Sequence, residues 1–221
     1  MTGQWLAAAR MAALAGLCAG IGSLAGCAAP GAIGGRLVLP ASSHDRIAAE
    51  SGTGGEQQPL GAQEAVISVV ARGEQDPATV PLPQCHSIAH TAHGFEPHVL
   101  PVAVGTAVVF KNRDQVYHKV FSISPAKPFN LGSQAPGERD SVVFDSVGVV
   151  SLHCELHPEA TGFVVVLPTE QFTQPNAQGT FVLPELAPGT YTIAAWHPTY
   201  GEVKRRVEVP KGGRLNISLA F

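Results

Sequence analysis

The sequence predicts an all-β protein. Short runs rich in Val and Phe recur between clusters of Gly, Pro, Asn and Asp. The 221 residues include 24 Gly and 18 Pro, and only 14% are charged. A helical bundle or coiled coil would need Ala, Glu, Lys and Leu at a period near 3.6 or 3.5, and this composition is far from that. Evenly spaced short runs with turn residues between them are the pattern of a β-sandwich or barrel. The net charge of −3, with no basic run, argues against a nucleic-acid-binding face.

Residues 1–26 read as an export signal. Arg10 lies in a short polar start, and an apolar stretch from Met11 to Gly26 follows, too short and too weakly apolar to span a membrane comfortably. It ends in Leu24-Ala25-Gly26-Cys27, which resembles the bacterial lipobox, where the Cys is acylated and becomes the new N-terminus. Cys27 is therefore the expected lipidation site, and Ala28 after it resembles the outer-membrane sorting pattern. The expected location is the periplasm, on a membrane through the lipid anchor. Residues 27–61 are rich in Gly, Ala, Ser and Pro without an aromatic residue, and read as a flexible tether.

Residues 62–168 read as the first β domain. Its expected strands are 65–70, 99–102, 107–111, 118–123, 141–144, 149–154 and 163–167. The polar stretch from Pro168 to Gly179 is the expected boundary. Residues 169–221 give four more strands, 180–183, 191–197, 202–209 and 215–220, with turns at Pro188-Gly189 and 199–201. About 50 residues are marginal for an independent domain. The tail is expected to pack on the first domain or to borrow a strand from it.

The chemistry concentrates at Cys154. With Cys18 and Cys27 in the export segment, only Cys85 and Cys154 remain. Cys154 ends a strand-like run, and His157 follows at C-x-x-H spacing, so thiolate and imidazole can share one loop. His118 opens another β run after Asn112-Arg113-Asp114. One Cys and two His suit a copper electron-transfer site. Sulfur and imidazole also suit zinc, although closed structural zinc usually has four protein ligands. A buried structural thiol, or a Cys85–Cys154 disulfide in an oxidising compartment, is the bland alternative. His86, His90, His93 and His98 cluster after Cys85, and a β pattern there makes a surface strand with scattered His the simpler expectation over a second metal site. His153 precedes Cys154 and should face away from it.

The run Phe95–Leu167 resembles a cupredoxin, a small blue-copper β-sandwich of Greek-key type. The matching residues are Pro97-His98-Val99-Leu100, Val104-Gly105-Thr106, Asn112-x-Asp114, His118, Phe144-Asp145, Gly148, Cys154-x-x-His157 and Gly162-Phe163-Val164-Val165-Val166. More narrowly it is similar to cupredoxin-domain proteins labelled methylamine-utilisation-like, through Ser122-Ile123-Ser124-Pro125-Ala126-Lys127-Pro128-Phe129. Those continue into a small C-terminal carboxypeptidase-regulatory-like β module, which Leu186-Ala187-Pro188-Gly189-Thr190-Tyr191 and Trp196-His197-Pro198 resemble.

The resemblance implies copper, with His118, Cys154 and His157 as equatorial ligands. It does not supply the axial Met. The family's positions for it are Ala160 and Gly162, and the only methionines are Met1 and Met11 in the export segment. Three readings stay open: copper with an apolar or backbone axial neighbour, an axial carboxylate from Glu159, and a sandwich that has lost its copper. The leading functional expectation is an exported, lipid-anchored protein that binds one copper for electron transfer or copper handling. It is not expected to be an enzyme, and its partner would be a periplasmic redox protein. The alternative is a metal-free binding or structural lipoprotein.

Overall fold

The structure is a computed structural model that describes residues 31–40, 61–72, 85–183 and 186–221. The expected export signal and Cys27 lie outside the described residues, as does most of the expected tether. In chain order the strands are β1 (Ala32–Val38), β2 (Val66–Arg72), β3 (Cys85–Thr91), β4 (Gly94–Glu96), β5 (Val99–Ala103), β6 (Thr106–Asn112), β7 (Val120–Ser122) and β8 (Phe129–Asn130). They continue as β9 (Arg139–Phe144), β10 (Gly148–Cys154), β11 (Thr161–Leu167), β12 (Phe172–Thr173), β13 (Thr180–Val182), β14 (Gly189–His197), β15 (Gly201–Val209) and β16 (Arg214–Ala220). Among the described residues no helix is long and apolar enough to cross a membrane.

The strands form four sheets stacked as two sandwiches. The first pairs the sheet β4-β3-β6-β9 with the sheet β5-β11-β10-β7-β8. Ile88, Val108, Phe110 and Phe144 from one sheet meet Val102, Val120, Val150, Leu152, Val164 and Val166 from the other in one buried core. The alternation is sharp in β6, where Thr106, Val108, Phe110 and Asn112 are buried and the residues between them are not. β10 repeats it: Val150, Leu152 and Cys154 point inward, so His153 faces out, where its ring meets Phe121 at 5.6 Å. Parallel pairs β3–β6 and β5–β11 sit among antiparallel ones, as a Greek-key sandwich requires.

The second sandwich pairs β13-β1-β16 with β12-β2-β14-β15. Its core holds Ile33, Leu37, Ile67, Phe181, Ile193, Val209, Ile217 and Leu219. Two of its strands come from outside the expected tail. Residues 32–38, expected in the tether, form β1, which runs parallel to β16 over its whole length and antiparallel to β13. Residues 66–72, expected in the first domain, form β2 and pair with β14. The tail is therefore completed by strands from upstream, in line with its small size.

The two sandwiches share a face. In β11, Val164 and Val166 enter the first core, while Val165 and Leu167 turn the other way onto Val66 of β2. Phe163 meets Trp196 of β14 edge-on, with centroids 5.5 Å apart. A strand buried on both sides has no polar face, which explains the unbroken apolar run 163–167.

Candidate metal centre

The site forms where three connections converge at one end of the first sandwich. Asn112, the last inward residue of β6, organises the loop ahead of His118. Its Oδ1 accepts from the Asp114 N–H at 2.8 Å, and its Nδ2 donates to the carbonyls of Val116 at 2.8 Å and Gln134 at 3.1 Å. This side-chain-closed turn is why Asn stands there. His118 is then pinned by a two-way backbone pairing with Gln134.

Asp114 sets the orientation of the imidazole. Its Oδ2 lies 3.1 Å from His118 Nε2. A carboxylate there accepts the Nε2 proton and leaves Nδ1 with a free lone pair. That Nδ1 is 3.7 Å from Cys154 Sγ. His157 Nδ1 lies 3.6 Å from the same sulfur, and its ring centroid is 4.6 Å from that of His118. His157 sits in the turn after β10, closed by the Ala160 N–H donating to the His157 carbonyl at 3.0 Å. Cys154 is a buried free thiol, which removes the disulfide alternative raised by the sequence. His118, Cys154 and His157 are thus brought together, with His118 buried and His157 half-buried.

A third imidazole was hidden in the sequence. His90, on β3, is 2% exposed, and its ring centroid is 3.6 Å from that of His118 and 6.2 Å from that of His157. Donor atoms of His90, His118 and Cys154 all lie within 4.8 Å of one another. The signal was parity: His90 is two residues after the core residue Ile88 and shares its face. His86 is only half-buried and His93 is exposed, and His98 turns away to pair with Glu64 at 3.1 Å. Glu159 is exposed, on the rim of a cavity of about 380 Å³ that His90, His118 and His157 also line.

Burial disfavours the charged forms of His90 and His118. Burial, and then the charges that His118 and His157 would carry, push the His90 pKa down from 6.5 to about 4, against the pull of Asp114. Burial also lowers the pKa of His118, opposed by its hydrogen bond to Asp114. The Asp114 carboxyl is held low by the Gln115 N–H and then by His118. A metal takes up neutral imidazole nitrogens and a thiolate, releasing the thiol proton as it binds.

The donor set fits copper. An ion about 2.0–2.3 Å from nitrogen and sulfur donors at trigonal angles holds those donors about 3.6 Å apart. Both sulfur-to-nitrogen distances match that spacing.

The Greek-key sandwich is cupredoxin-like. No family model and no curated protein matches the chain. Among solved structures it is similar to a purple cupredoxin from Nitrosopumilus maritimus, with 31% identity over 37% of this chain and 98% of that chain, at a TM-score of 0.34. It is also similar to a copper-containing nitrite reductase (NirK) from Thermus scotoductus, with 28% identity over 44% of this chain and a TM-score of 0.36, spanning only 25% of that chain. An oxidised amicyanin variant shares 25% identity over 37% of this chain and 80% of that chain, at a TM-score of 0.35.

Proposed function

We propose that the cupredoxin-like sandwich binds a single copper ion through His118, Cys154 and His157, and serves one-electron transfer or copper handling rather than catalysis. One observation carries this: Cys154 Sγ lies 3.6 and 3.7 Å from the Nδ1 atoms of two imidazoles whose ring centroids are 4.6 Å apart. Bound copper supplies a one-electron couple between Cu(I) and Cu(II). The chain supplies a rigid frame for it. Strand β10 fixes the thiolate, Asp114 fixes the His118 ring, and the Ala160 contact fixes the turn that carries His157. A rigid donor set that suits both oxidation states leaves little to rearrange when the electron moves.

We place the protein in the periplasm on a lipid anchor at Cys27, and its partner among periplasmic redox proteins. Val116 and Tyr117 ahead of His118, and Leu156 ahead of His157, are large apolar side chains left exposed on the ligand-bearing loops. Such a surface suits a transient protein contact. The second sandwich reads as the carboxypeptidase-regulatory-like module of the sequence resemblance.

The test is stoichiometric copper loading followed by visible spectroscopy. The parent should bind one copper and show an intense thiolate-to-Cu(II) band, lost in Cys154→Ser. A colourless parent that retains no stoichiometric copper would leave a metal-free sandwich. Labelling with a fatty-acid analogue tests the anchor, and unchanged labelling in Cys27→Ser would exclude it.

A further inference from the structure

We infer that His90 is the fourth donor of the centre, so that three imidazoles and one thiolate hold the metal in a chain whose only methionines are Met1 and Met11. This rests on the copper reading above and specifies its ligand set.

Four observations converge. First, His90 has a donor atom within 4.8 Å of donor atoms of both His118 and Cys154. Second, neither ring nitrogen of His90 has a hydrogen-bond partner among the described residues, and both are buried. An imidazole left in that state has given up water with no partner in exchange, whereas a metal takes up the lone pair of one nitrogen. Third, the ring is held in place. It stacks on Phe95 at 4.4 Å with an interplanar angle of 10°, and β3 is an inner strand between β4 and β6. Fourth, the alternative donor is poorly placed. Glu159 is exposed, whereas His90 is 2% exposed.

The packing around this ring is close. A Cβ on Gly162 would meet the Phe95 Cβ at 2.9 Å, so residue 162 cannot carry a side chain while Phe95 stays where it is. Phe95 in turn forms the platform on which His90 lies. An imidazole is a stronger and harder donor than a thioether and favours Cu(II) over Cu(I). The three-imidazole centre should therefore have a lower potential than one without His90.

The experiment uses the full chain loaded with copper, in the parent, His90→Phe and His90→Met forms. Pulsed electron-paramagnetic-resonance spectroscopy should count three strongly coupled nitrogens in the parent and two in each variant. The reduction potential should rise in both variants. The thiolate band should persist in all three, with its position shifted in the variants. Two nitrogens in the parent, with an unchanged spectrum and potential in His90→Phe, would overturn the role of His90 while leaving the copper site intact. Absence of any thiolate band in the parent would instead overturn the copper reading itself. His90→Met keeps a flexible side chain of similar bulk, so it guards against misfolding of the Phe variant.

Discussion

Asp114 Oδ2 stands 3.1 Å from His118 Nε2, which turns the opposite nitrogen of that ring toward the Cys154 sulfur. An acceptor four residues away in sequence thus decides which atom of His118 faces the metal. Asp114→Asn keeps the shape but loses the charge that raises the basicity of the ring. We expect copper affinity to fall by about 10–100-fold. Competitive titration against a copper chelator checks this, and unchanged affinity would show that Asp114 only shapes the loop.

The buried imidazole of His90 makes the metal-free protein acid-sensitive. Its pKa is about 4 in the folded chain against an ordinary 6.5. Between those values the unfolded chain binds more protons, so stability is full above pH 6.5 and is lost as pH falls toward 4. The loss from this group is at most about 3 kcal/mol. Urea unfolding of metal-free protein at a series of pH values should show that slope, reduced in His90→Phe. An equal slope in that variant would assign the effect to other groups.

Gly162 is a steric requirement of the fold. Even Gly162→Ala forces the backbone of β4 or β11 to shift, because the new Cβ would lie 2.9 Å from the Phe95 Cβ, which no side-chain rotation moves. We expect a loss of about 1–3 kcal/mol, the usual cost of overpacking. Chemical denaturation measures it. Stability within about 0.5 kcal/mol of the parent would mean that Phe95 yields freely.

Strand β1 lies between β13 and β16, so removing it opens the sheet from the middle. A chain starting at residue 62, the boundary that composition suggests, lacks Ile33 and Leu37 from the second core. We expect that truncation to melt at a lower temperature than a chain retaining residue 31 onward, or to aggregate through the exposed edges of β13 and β16. Equal melting temperatures would show β1 to be dispensable.

Most strands were legible because their inward residues alternate with polar ones, as in β6 and β10, or because turns frame them, as in β14 and β15. The exceptions have physical causes. β1 contains Gly34 and Gly35, which read as linker, yet a Cβ on Gly35 would meet the Ile217 carbonyl oxygen at 2.3 Å. Those glycines permit close packing of backbones rather than flexibility. β3 was obscured by its polar residues, since a histidine on the inner face breaks the apolar alternation. At the site, the Cys154-x-x-His157 spacing brought His118, Cys154 and His157 into view. His90 could not be placed, because its proximity arises from the pairing of β3 with β6, which puts His90 opposite Asn112.

The incorporation of residues 32–38 into the second sandwich changes how the molecule would sit on a bilayer. If Cys27 carries lipid, only residues 28–30 separate it from Gly31, whose N–H is bonded to the Leu186 carbonyl at 2.9 Å. That span reaches at most about 14 Å. The long string imagined from composition becomes a short leash. The second sandwich would rest near the headgroups, with the first attached to it through the β2–β11 face. A soluble electron donor would then approach a copper centre at a restricted height and tilt, not one sweeping freely through the periplasm.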